Sequence, residues 1–219
     1  MADAKDTELL IERLTSVYGR EKTDKFISYI DKVLERNEFI NLTAVKDRHE
    51  AMQKHLADSL AVTVLPEYQK AASVIDIGTG AGFPGALLAI ANPDKNFCLL
   101  DSTLKRLRVI DEFAADLGIS NITTIHARAE EISRKPEYSE NFDLCVSRAV
   151  ASLDKLAGWS LPFVKQNGYF IAYKGENYDS ELAAAAKALK KYRGVLERVE
   201  EQNGGDDISG HVLLVIRKK

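Results

Sequence analysis

Val74-Ile75-Asp76-Ile77-Gly78-Thr79-Gly80-Ala81-Gly82-Phe83-Pro84-Gly85 is the stretch whose reading settles the fold class. Its branched apolar start predicts a buried strand, the alternating glycines predict a tight turn, and the apolar segment after Gly85 predicts a helix. Glycines without a Cβ let backbone amides approach a ligand closely, and the helix start adds unpaired N–H groups at a positive dipole end. That combination suits a nucleotide or a carboxylate.

On either side of this unit the same pattern repeats. Short apolar runs at 73–77, 96–100, 121–126, 142–147 and 168–174 predict strands separated by amphipathic helices, the signature of a doubly wound, mainly parallel α/β sheet. Runs at 194–201 and 210–217 flank the turn-rich QNGGDD segment and predict an antiparallel hairpin that closes one edge, giving seven strands. Before Pro66 the apolar residues fall at helical spacing (Leu10, Leu14, Val17, then Phe26, Ile30, Val33), so residues 1–65 are expected to form a helical region packed on a main domain of 66–219.

Composition narrows the function classes. With 45% hydrophobic residues and a net charge of -3 over 219 residues, the chain can bury one substantial core and does not coat nucleic acid through overall charge. A local basic patch stays open. The start carries no basic leader and the chain has no long apolar run, so a cytoplasmic protein without membrane contact is expected. Cys98 and Cys145 lie in apolar runs, which argues against a disulfide framework or a cysteine zinc site, and the scattered histidines suggest no metal.

Asp101 closes the next predicted strand, where a carboxylate can accept hydrogen bonds from both ribose hydroxyls; the plainer reading is a cap for the following helix near Ser102 and Thr103. Gly80-x-Gly82-x-x-Gly85 formally matches the dinucleotide fingerprint, which makes an NAD-dependent oxidoreductase a rival. Asp76-x-Gly78-x-Gly80-x-Gly82, with an acid just ahead of the glycines, instead resembles the first motif of class I S-adenosylmethionine (SAM) methyltransferases. Ala129 with Glu130, and Ser147 with Arg148, follow or end later strands and can line the same crevice, although Glu130 reads equally well as a solvated acid at a helix start.

Asn41-Leu42-Thr43-Ala44, His55 through Leu60, Asp76 through Gly85, Asp101-Ser102 with Lys105-Arg106, Ala129-Glu130 and Ser147-Arg148-Ala149 together resemble the RsmG (GidB) family over nearly the whole chain. The resemblance implies a Rossmann-like class I fold and methyl transfer from SAM to N7 of one guanine in 16S rRNA, leaving S-adenosylhomocysteine. It implies further that Gly78, Phe83, Asp101, Ser102, Thr103, Ala129, Glu130 and Arg148 contact SAM, beside Asp76, Gly80 and Gly82 of the glycine turn. The implied partner is 16S rRNA in the small ribosomal subunit or an assembly intermediate, met by a monomer. Alternatives are a SAM methyltransferase for another RNA atom or a small molecule, and a non-catalytic RNA-binding module on a SAM-binding fold.

Guanine N7 has a free lone pair and no proton, so its methylation needs orientation and no general base. No catalytic acid, base or nucleophile is therefore assigned. Arg148 is the positioning candidate, a fork for SAM's carboxylate, a guanine or phosphate oxygen, or a structural acid such as Asp76. Lys105, Arg106 and Arg108 after Asp101, with Lys165 and Lys174 flanking the fifth strand, are candidates for a basic rim that grips RNA phosphates. His55, Asp58 and Ser59 share a helix turn; a local hydrogen-bond network beside the substrate mouth is expected of them, not a triad, with Asn41 and Thr43 shaping the adjoining connection.

Overall fold

The computed structural model describes residues 2–201 and 211–219. Two long helices open the chain, α1 (Ala2–Tyr18) and α2 (Arg20–Asn37). Thr23, Phe26, Tyr29, Ile30 and Val33 of α2 recur every three or four residues, so one face is buried and the other stays polar. A loop leads to α3 (Arg48–Ala51), a π-helical turn (Met52–Ala57), α4 (Asp58–Leu60), a 3-10 turn (Ala61–Val64) and α5 (Pro66–Lys70). Buried side chains from these helices join the core cluster on one face of the sheet.

The sheet then builds in alternation. Strands β1 (Ser73–Ile77), β2 (Asn96–Asp101), β3 (Ile122–His126) and β4 (Phe142–Arg148) are separated by α6 (Gly85–Ala91), α7 (Leu104–Asp116) and α8 (Ala129–Ile132). After β4 come α9 (Leu153–Ser160), β5 (Val164–Lys174), α10 (Tyr178–Lys191), β6 (Gly194–Glu201) and β7 (Val212–Lys218). The order across the seven-stranded sheet is β3-β2-β1-β4-β5-β7-β6, and only the β5–β7 and β6–β7 pairs are antiparallel. The hairpin read from the sequence is thus present as a strand pair, while its QNGGDD turn lies outside the described residues.

Burial follows position. β1, β2 and the second half of β5 are covered on both faces and read as largely apolar runs, with Asp76 buried in β1 and Asp101 closing β2, whereas the edge strands β3 and β6 alternate with exposed residues. β1 lies between β2 and β4, with α6 on one side and α9 on the other, so the order reverses at β1 and the carboxyl ends of β1, β2 and β4 open a crevice there. Among the described residues no helix is long and apolar enough to cross a membrane.

Candidate cofactor and RNA site

The glycine turn is held from beneath by Asp76. One of its oxygens accepts from Thr79 Oγ1 at 2.7 Å and from the Gly85 amide at 2.9 Å, which ties the strand end to the start of α6. The other, Oδ1, is buried without a partner among the described residues, and burial pushes the carboxyl up to about 6. Gly78 and Thr79 donate their amides to Leu100 O, and Gly80 donates to Asp101 Oδ2 at 3.0 Å. Gly78 has φ 70°, and a Cβ there would stand 2.5 Å from Val150.

Asp101 is both an anchor and an acceptor. Oδ1 takes the Thr103 amide at 2.8 Å, Oδ2 takes Gly80, and Arg106 Nη1 stands 3.8 Å from Oδ2. Each carboxylate oxygen offers two lone pairs, so capping the next helix and accepting a ribose hydroxyl are compatible. Gly78, Asp101, Ser102, Arg106, Ala129, Glu130, Val150 and Trp159 belong to the lining of one cleft of about 310 Å³. The residues fit an adenosyl group with an amino-acid tail: a close-approach turn, a carboxylate with spare lone pairs, and an orphaned carboxylate oxygen behind the turn that suits an ammonium.

Arg148 ends β4 at the other side of the crevice. Its Nη1 donates to Asp58 Oδ2 and to Lys54 O, both at 2.7 Å, and Nη2 reaches His55 Nδ1 at 3.2 Å. Its partner is therefore Asp58, not Asp76. With Nδ1 accepting, His55 carries its proton on Nε2 and donates to Thr43 Oγ1 at 2.7 Å, and its ring stacks on Phe83 with centroids 4.6 Å apart. Burial and the adjacent guanidinium lower His55 to about 4. Asp58 also accepts from His211 at 3.3 Å; burial acts to raise its pKa, but His211 and Arg148 outweigh that and hold it below its ordinary value.

The glycine turn and the helical region meet through Tyr29, which sequence reading missed. Its hydroxyl donates to Ala81 O at 2.9 Å, and a Cβ on Gly82, where φ is 92°, would lie 2.1 Å from that hydroxyl. Gly82 is thus required by a tyrosine from α2. Asn37 was missed as well: its Oδ1 accepts the Leu42 and Thr43 amides and its Nδ2 donates to Thr43 O, which fixes the loop that presents Thr43 to His55. Asn41 stands exposed on the same loop, and Ser59 contributes its backbone carbonyl to Tyr173.

The basic candidates separate. Lys105 and Arg108 are exposed on the first turns of α7, and Arg106 lines the cleft. Lys174 is spent on Glu181 and Ala151 O and is 9% exposed. Lys165 does not belong to the rim: β5 begins at Val164, so this lysine sits at the amino end of the strand and pairs with Asp143 at 2.7 Å, across the sheet from the crevice. Cys98 and Cys145 are buried with raised thiol pKa values, Cys98 up to about 12, which removes a thiolate nucleophile from consideration.

Among solved structures, the O-methyltransferase TomG from Streptomyces achromogenes, described in complex with SAM, matches with a TM-score of 0.63 at 12% identity over 100% of both chains. That likeness is one of fold. The ribosomal RNA small subunit methyltransferase G of Clostridium novyi is 41% identical over 94% of this chain and 85% of its own, and that of Clostridium beijerinckii is 43% identical over 91% and 84%. The family model described as rRNA small subunit methyltransferase G matches residues 22–208, a span holding both the helices that carry Tyr29, His55 and Asp58 and the strands that carry Asp76, Asp101 and Arg148; the chain belongs to that family.

Proposed function

We propose that this chain transfers a methyl group from SAM to N7 of a guanine in 16S rRNA, as a cytoplasmic monomer acting on the small ribosomal subunit or a precursor of it. The observation that carries the reading is the family match across residues 22–208, which spans every element of the crevice. SAM supplies an electrophilic methyl group on a sulfonium.

The residues of this chain bind and orient. Asp101 and the Gly78–Gly80 backbone are suited to the adenosyl half, and Asp76 Oδ1 and Arg148 to the charged tail. N7 would donate its lone pair to the methyl carbon as the methyl–sulfur bond breaks, that bond's electron pair leaving with S-adenosylhomocysteine; no proton is released, so a base is not needed. The local side chains match that demand: both nitrogens of His55 are engaged, and Asp58 is held ionised by Arg148 and His211. Alignment of the two reactants can remove about 7–11 kcal/mol of barrier without proton transfer. The helical region contributes by immobilising Arg148 and Phe83 beside the glycine turn.

The test is rRNA from a strain lacking this gene, before and after incubation of its small subunits with the purified protein and SAM. Borohydride and aniline cleave at 7-methylguanine, and primer extension should reveal one site that appears only after treatment. Equal cleavage in treated and untreated RNA at every guanine would overturn the assignment.

A further inference from the structure

One aromatic side chain stands where the core cannot explain it. Phe39 is 78% exposed, the most exposed of the large hydrophobic side chains among the described residues. It does not ride on a loose loop: Asn37 fixes the segment with three hydrogen bonds, Ile40 packs on the core and Leu42 is buried. The chain therefore holds an apolar ring out in water on a pinned support.

Its location follows from two ion pairs. Lys32 meets Asp116 and Arg36 meets Glu112, so the end of α2 runs antiparallel to α7. The turn that follows α2, in which the Phe39 and Ile40 amides both donate to Arg36 O, continues in that direction, toward the start of α7 where Arg108 stands. Lys105 and Arg108 are exposed there, and neither has an ion-pair partner among the described residues. On its other side the loop leads to Thr43, bonded to His55, whose ring covers Phe83 of the glycine turn. Four residues span at most about 14 Å, so Phe39 lies within that distance of Thr43, a reach that suits a nucleotide neighbouring one held at the crevice.

From this placement we infer that Phe39, Lys105 and Arg108 form a seat for single-stranded RNA flanking the target guanine, with one base stacked on the Phe39 ring and the adjoining phosphates on the two cations. An exposed ring beside unpaired cations is the chemistry of single-strand recognition, because every base has a stackable face and every linkage a negative charge. A protein partner would gain nothing from the cations unless it were acidic, whereas an RNA loop supplies both halves. The inference rests on the methyltransferase reading above and adds to it the surface that meets the substrate.

Steady-state methylation of small subunits from the deletion strain tests it. F39A and F39L should raise KM for subunits roughly tenfold, the loss of one stacked base, with SAM affinity by calorimetry unchanged, while F39Y stays within about twofold of the parent. Replacing both cations, K105Q with R108Q, should flatten the dependence of log affinity on log salt by about 1.4, two single-strand phosphates. A parental KM for F39A, or F39L performing as well as F39Y, would overturn the stacking, and an unchanged salt slope would overturn the phosphate contacts. Absence of methyl transfer by parent and variants alike would sink the methyltransferase assignment instead; filter binding of the same subunits to parent and F39A would then decide this inference, equal affinities refuting it.

Discussion

Asp58→Ala should destabilise the protein by about 3 kcal/mol, from the buried charge it would leave on Arg148. The Arg148 side chain is only 11% exposed and Asp58 3%, and of the three acceptors around this guanidinium only Asp58 carries charge. Removing one member of a buried pair costs roughly 3–5 kcal/mol, because the other charge stays buried. Lys54 O and His55 Nδ1 survive the change, so the loss belongs at the lower end, about 3 kcal/mol. For a chain of this length each kcal/mol moves Tm by roughly 2–4 °C, which gives an expected fall of about 6–12 °C at neutral pH by scanning calorimetry. Asp58→Asn keeps an acceptor and should lose less. Folding favours ionised Asp58, since its folded pKa is depressed; its contribution is present above the unfolded pKa and vanishes as pH falls through the folded value, so the difference between parent and variant should shrink in acid. A Tm within about 2 °C of the parent at neutral pH would refute the reasoning, because Arg148 would then be held by something other than Asp58.

Three further outcomes follow from the same geometry. Gly82→Ala should cost about 3 kcal/mol or more in urea unfolding, from a strained φ and the collision with Tyr29, and should cost less in a Tyr29→Phe background that lacks the hydroxyl; strict additivity would show that the two residues do not meet. Asp101→Ala strips the Gly80 and Thr103 amides of their acceptor and removes a charged acceptor for ribose, so SAM affinity should fall at least roughly tenfold by titration calorimetry, and an unchanged Kd would exclude Asp101 from the site. His55, lowered to about 4 from 6.5, contributes stability above 6.5 that is lost as pH falls toward 4, so His55→Gln should flatten that part of the stability–pH curve; an identical slope in parent and variant would mean His55 is not buried neutral.

Periodicity revealed the elements well where burial is simple and poorly where the backbone bends. The central strands are legible because both faces of their middles are covered and the residues there are mostly apolar; Asp76, buried within such a run, is itself the signal of a site. β5 starts before the predicted position 168 because Lys165-Gln166-Asn167-Gly168 has turn composition, yet the strand continues through it with Asn167 at φ 66° and a register shift opposite Phe142. That misplaced boundary is why Lys165 was assigned to the wrong end of the sheet. Asp101, Gly78 and Glu130 were legible as cleft residues because strand ends are local features of the pattern.

What the pattern could not reveal is who holds whom across the chain. Tyr29 reaches Ala81 over a separation of 52 residues and Arg148 reaches Asp58 over 90, and no spacing rule links such positions. Yet these are the contacts on which positioning depends. A reaction without proton transfer gains its rate from how narrowly the two reactants are aligned, and a displacement of about 1 Å can cost a hundredfold. A glycine turn alone is too permissive for that: Gly78, Gly80 and Gly82 all sit at positive φ, a conformation easily left. Tyr29 pins the turn from one side, while His55 covers Phe83 and braces Arg148 from the other. On the proposed reading the helical region therefore takes part in positioning, since removing its contacts would free Arg148 and Phe83 and loosen the alignment while leaving Asp76 and Asp101 on their strands.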